Sequence, residues 1–286
     1  MNRNNNISSL PFYESIDEQL HRQNYSFGKM FPYIAPSALL PFIIHVQGNI
    51  TINNVTSILM KKLDGTSNNI TNWAKTQIGI FNNSSNNPAY SVVAFRANDP
   101  NTGFDFKGIY YIEATINNKK YYSELFTVVS NINSFLKIEW WDFGTLKFEN
   151  GAIPYGLGYV NRLFICSELG KPTYPFQEEG VERSGIFFPE MRLSQKSYKF
   201  FFDATETMCD SLRVAKLSDN VTIESNGIMY HCHHFDIGIS WGVRATNARI
   251  TAEFKTETII KKIGWITPVG DFNNDFNNDF NNRTFN

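Results

Sequence analysis

The chain has 286 residues, 42% of them hydrophobic and 19% charged, with a formal net charge of −1. That much apolar material supports a packed core and excludes wholesale disorder. Charge is balanced along the chain, +2 over residues 1–130 and −3 over the rest, so there is no broad basic face for phosphates and no specific nucleic-acid binding is expected.

Aromatic residues make up 15% of the chain, and such side chains suit a pleated, half-buried surface. The length suggests two domains. Cys166, Cys209 and Cys232 are too few and too scattered for a disulfide framework, which points to folding in a reducing compartment. The opening MNRNNNISSL lacks the apolar core of a secretory signal. The apolar stretch from Ala35 to Val46 is broken by Pro36, Ser37, Pro41 and His45 and is too short to span a bilayer, so no membrane partner is expected.

Residues 1–32 are polar and irregular, with Phe12, Tyr13 and Phe27 as scattered anchors, and read as an arm that docks on another molecule. Ile16 to Arg22 suggests one or two helical turns. From 33 to 130 the pattern is short strands separated by Asn, Gly and Pro. Strands are expected at Phe42–Val46, Thr56–Leu63, Gln77–Phe81, Ser91–Phe95 and Gly108–Ile116, then after a turn at Asn117–Lys120 a return over Tyr121–Val128. This predicts an antiparallel, Ig-like β-sandwich. Residues 130–134 form a polar boundary.

A second, β-rich domain is expected over 131–265. Its strands are Phe135–Asp142, Asn161–Cys166, Ile186–Phe188, Ser197–Asp203, Val221–Ser225, Gly227–Phe235 and Ala248–Thr258. Asn226-Gly227 is a strong hairpin signal. One helix is expected from Glu206 to Ala215, with Thr205 as N-cap and Met208, Leu212 and Ala215 as its apolar stripe. Residues 266–286 carry the Asp-Phe-Asn-Asn repeat, which resists helix and cannot bury a core. The fold class is therefore mainly β, in two domains with extended termini.

Few residues are arranged for chemistry. His231-Cys232-His233-His234 has ligand-type side chains, but strand alternation sends His231 and His233 to one face and Cys232 and His234 to the other, so no metal site is expected. Gly156 and Gly158 match two positions of a dinucleotide loop, yet Asn161 stands where the third glycine belongs, and no cofactor is expected. Glu178, Glu179 and Glu182 could form an acid–base pair, but they read as a solvated polar loop. No catalytic residue is assigned, and the chain is not expected to be an enzyme. Trp140 and Trp141 point to opposite faces of a strand and, with Phe272, Phe276 and Phe280 of the tail repeat, are the candidate interface residues.

Several stretches together resemble a family of virion proteins of tailed phages that infect Bacteroides-like bacteria, including crAss-like phages. They are Met30-Phe31-Pro32-Tyr33-Ile34-Ala35-Pro36 with Leu40-Pro41-Phe42, Tyr121-Tyr122-Ser123-Glu124, Leu136-Lys137-Ile138-Glu139-Trp140-Trp141, the run from Gly170 to Gly180, Lys261-Lys262-Ile263-Gly264 and the tail repeat. The resemblance implies a structural subunit of the tail or of the neck rings between head and tail. Its partners would be further copies of itself in a homo-oligomeric ring, joined by heterologous interfaces, and neighbouring tail or neck proteins. Its place would be the virion, after synthesis in the bacterial host cytoplasm. A receptor- or glycan-binding module on the tail or capsid is the competing reading.

Overall fold

The computed structural model describes residues 8–17, 33–36, 39–83, 89–97, 107–129, 131, 134–148, 151–243 and 247–263. The fold is mainly β, as the strand-rich sequence predicts. Nineteen strands and two α-helices are found among these residues.

The first half builds two sheets. Strands β1 (Phe12–Tyr13), β2 (Tyr33–Pro36), β4 (Val55–Lys61), β5 (Ser67–Asn69), β8 (Gly108–Ile116), β9 (Lys119–Ser123) and β10 (Phe126–Val129) form a seven-stranded sheet. Strands β3 (Phe42–Gln47), β6 (Ile78–Asn83) and β7 (Tyr90–Phe95) form a three-stranded one. Aromatic rings meet in the shared core: Phe42 stacks on Phe95 at 4.6 Å, Phe12 lies 5.0 Å from Phe42, and Trp73 meets Phe95 edge-on at 5.1 Å.

Three features depart from the sequence reading. The pairing is not antiparallel throughout, because β2 lies parallel to β10. The two strands are joined through most of the first half, the long connection that a parallel pair requires. Secondly, the expected single return over Tyr121–Val128 is broken. Between Tyr122↔Glu113 and Phe126↔Tyr110 the return strand gains one residue on β8, a bulge that turns Glu124 inward. Thirdly, α1 (Thr71–Gln77) precedes β6 where no helix is predicted. It is short and rich in poor helix formers. Tertiary contacts hold it: the Ile58 amide donates to Thr71 Oγ1 at 2.9 Å, Thr71 Oγ1 donates to the Ile58 carbonyl at 3.3 Å, and Ala74 is buried.

The N-terminal segment also differs from the expectation. Residues 8–13 dock on the chain's own sheet. Strand β1 pairs with β9, Leu10, Phe12 and Tyr13 are buried, and Tyr13 Oη donates to Glu124 Oε1 at 2.7 Å.

The second half is built on one antiparallel seven-stranded sheet. Its order is β14 (Asn161–Ile165), β11 (Leu136–Trp141), β17 (Asn220–Ser225), β18 (Ile228–Trp241), β19 (Ala248–Ile263), β16 (Ile186–Ala204) and β15 (Phe176–Arg183). A small hairpin of β12 (Leu146–Phe148) and β13 (Gly151–Ile153) lies beside it. Helix α2 (Glu206–Leu217) packs on β11, β16 and β18. Thr205 is its N-cap, accepting from the Met208 amide at 3.4 Å, and Met208, Leu212 and Ala215 are buried as the predicted stripe requires. Asn226 and Gly227 both have positive φ, +51° and +76°, the signs of a type I′ hairpin turn that glycine adopts without strain.

A single cluster of buried apolar side chains runs through both halves. Polar contacts cross the same seam. Arg162 bonds Glu139 and donates from Nη1 to the carbonyls of Leu39 at 2.8 Å and Ala97 at 3.2 Å. The Glu124 carboxylate, bonded to Tyr13, accepts from Thr207 Oγ1 of α2 at 3.1 Å. His45 Nε2 lies 3.2 Å from the Ala152 carbonyl oxygen and 3.4 Å from its amide.

Candidate functional site

The feature that the fold does not use for itself is a β-ribbon. Strand β16 is 19 residues long and changes character along its length. From Tyr198 to Ala204 it alternates, with Tyr198, Phe200, Phe202 and Ala204 buried and Lys199, Phe201 and Asp203 exposed. From Ile186 to Arg192 no residue is buried, and every residue of β15 whose side chain is described is exposed. The turn is Ser184-Gly185, both residues with positive φ.

This ribbon exposes large apolar side chains among its charged ones. Phe176 is 75% exposed, Ile186 60%, Phe187 48%, Phe188 50%, and Ile260 on β19 72%. Phe176 and Ile260 both pair with Ser194, so they share one face of the sheet. Strand β15 ends the sheet order, and its outer edge carries no paired strand among the described residues. Near the tip the register shifts between Glu179 and Gly180. A Cβ at Gly180 would lie 2.1 Å from the Phe188 carbonyl oxygen, so only glycine fits this close approach.

The sequence placed Glu178, Glu179 and Glu182 in a polar loop; the structure puts them in β15. Glu178 forms a salt bridge with Arg192 at 3.0 Å, and Glu179, its neighbour along the strand, projects to the opposite face. The ribbon was legible in principle. Ser-Gly is a turn dipeptide, and it stands between the strand-like Phe176–Arg183 and Ile186–Phe188. The acidic run masked the first of these strands.

The histidine cluster also departs from strict alternation. A bulge between Cys232 and His234 makes His233 an extra residue. His231, His233 and His234 are all exposed, while Cys232 is half-buried and packs against the core. Among the described residues no group of three or more His, Cys, Asp or Glu side chains is arranged to hold a metal ion. Asn161, at the third position of the glycine pattern, is fully buried. It accepts from Tyr159 Oη and donates to Tyr155 Oη, both at 2.9 Å, and so serves the core.

Trp140 is fully buried, opposite Val221 and Asn161, while Trp141 is half-buried on the other face of β11. Phe272, Phe276 and Phe280 lie outside the described residues.

Three ionisable groups of the body, Glu113, His45 and Cys209, are held away from their ordinary values. Burial pushes Glu113 up, but hydrogen bonds and charge from Lys61 at 2.7 Å and Lys120 at 3.1 Å outweigh it and hold the carboxyl below the usual carboxylate range. Burial holds the His45 imidazole below its ordinary value, against the Ala152 hydrogen bond. Burial pushes the Cys209 thiol up to about 11, where it stays protonated.

One cleft of about 640 Å³ opens at the base of the ribbon. It lies between the 167–172 loop and the β17–β18 turn, with Phe135, Leu169, Pro172, Tyr198, Ile228 and Tyr230 among its walls. No helix among the described residues is long and apolar enough to cross a membrane.

Fold and site together define a mainly β protein with a sandwich-like first half and an exposed β-ribbon that is open along one edge. No protein-family model, curated protein or solved structure matches the chain.

Proposed function

We propose that this protein is a structural subunit that assembles with further copies of itself through heterologous contacts. The observation that carries the reading is the β15–β16 ribbon, which exposes Phe176, Ile186, Phe187 and Phe188 and is open along one edge. An isolated two-stranded hairpin is marginal in water, and an open strand edge is a place for pairing with another chain. Several large apolar side chains exposed at one end of a sheet mark a candidate interaction site. The resemblance to phage virion proteins supports a ring in the tail or neck as the setting, and an Ig-like first domain would suit a part that tiles.

Sedimentation of the purified full chain tests the assembly. The expected result is a concentration-dependent closed oligomer larger than a dimer. A chain that stays monomeric throughout the accessible concentration range refutes it. Mass spectrometry of purified phage particles tests the virion assignment.

A further inference from the structure

We propose that the tip of the β15–β16 ribbon of one copy, residues 181–188, seats in the cleft between the 167–172 loop and the β17–β18 turn of a second copy. This rests on the assembly reading and names its two surfaces.

The tip is the convex, apolar partner. Val181, Ile186, Phe187 and Phe188 are exposed together around the Ser184-Gly185 turn. The 19 residues from Phe176 to Ser194 approach one side of a standard protein interface, roughly 20–30 residues. The cleft is the concave partner. Its volume of about 640 Å³ leaves room for large apolar side chains, and the Phe135, Tyr198 and Tyr230 rings stand among its mixed polar and apolar walls. A patch on one part of a molecule that fits a pocket on another part makes a heterologous contact, the kind that closes into rings.

Distance requires the second copy. Tyr198 lines the cleft, and Phe188 lies ten residues away on the same strand. At about 3.3 Å per residue the two are roughly 33 Å apart. Between them Phe188 to Ser194 lie along β15 and Met191 to Tyr198 along β19, so the tip does not fold back into its own cleft.

Charge separates this arrangement from the obvious alternative, a two-fold pairing of β15 with β15 of a second copy. Strand β15 carries Glu178, Glu179 and Glu182 against Arg183 alone, so edge-to-edge pairing brings two net-negative strands together. The cleft wall carries no such excess: Lys171 and Glu168 both line it, and Lys196 lies nearby, 5.1 Å above the Tyr198 ring. Glu182 within the tip and Glu190 just beyond it are opposite in sign to Lys171 and Lys196.

The experiment uses the full chain with Phe188→benzoylphenylalanine, a photoreactive side chain, mixed as isotopically heavy and light copies. After irradiation, mass spectrometry should find heavy-to-light cross-links from position 188 to residues 134–135, 167–172 or 225–230. In parallel, Lys171→Glu should weaken association about 2–5-fold, as a rim charge pair does, and adding Glu182→Lys should restore it. Oligomers whose cross-links go elsewhere, or a charge swap that restores nothing, overturn the proposed placement while leaving assembly intact. A monomeric chain overturns the assembly reading itself, and this placement with it.

Discussion

Glu113 and His45 are both held in the body of the protein, yet they respond to acid in different windows. Glu113 has a folded pKa below its unfolded value, so its contribution is complete above the ordinary carboxylate range, about 4.3, and is lost as pH falls through the folded value. Glu113→Ala leaves the half-buried Lys61 ammonium without its 2.7 Å partner. It should cost roughly 1–3 kcal/mol in urea unfolding at neutral pH. His45 titrates earlier. Its folded pKa is lowered, so the unfolded chain takes up a proton first; stability is full above about 6.5 and declines as pH falls below it. A melting-temperature series across pH 5–8 should show that decline, and His45→Gln should flatten it. An unchanged slope in His45→Gln would show that the imidazole is not the group responsible.

At the scale of elements, α2 and the ribbon make opposite demands. The helix was legible because capping is local: Thr205 stands before Glu206, and the apolar side chains recur at helical spacing. Thr205→Ala should cost about 1 kcal/mol, read as a shift in the urea midpoint with an unchanged slope. Helix α1 was not legible, because Thr71 and Ala74 are held by Ile58 and the core and not by their own propensity. The ribbon depends on Gly180. In Gly180→Val the new Cβ would collide with the Phe188 carbonyl, so the bulge cannot persist. We expect faster amide exchange over 176–188 with little change in melting temperature, because this segment buries little of its own surface. Phe187→Asp with Phe188→Asp should leave the far-ultraviolet spectrum unchanged and shift sedimentation towards monomer. Full assembly in that double variant would remove the tip from the interface.

Across the whole molecule, the two halves are held by one seam of apolar packing and by Arg162. This guanidinium, largely buried, bonds Glu139 on the neighbouring strand and reaches the Leu39 and Ala97 carbonyls of the first half. Removing it leaves Glu139 buried with Lys137 alone, at 3.3 Å. Arg162→Ala should lower stability by about 3–5 kcal/mol, the cost of breaking a buried pair from one side. Calorimetry gives that loss directly.

The division between sequence and structure follows the range of the forces involved. Strand alternation, the Asn226-Gly227 turn and the Thr205 cap act over a few residues, so the β class, most strand positions and α2 were determined by the sequence alone. Which strands pair is a long-range outcome. The parallel partnership of β2 with β10, the docking of residues 8–13 on β9, and the burial of Trp140 beneath a shared core emerge only when segments distant in sequence compete for the same apolar surface. The ribbon shows the same limit. Its composition reads as an acidic loop, and only its pairing with β16, which extends past the body of the sheet, makes Phe187 and Phe188 an exposed apolar tip. An exposed tip is a property of where the rest of the chain is not, and local residue patterns do not encode that.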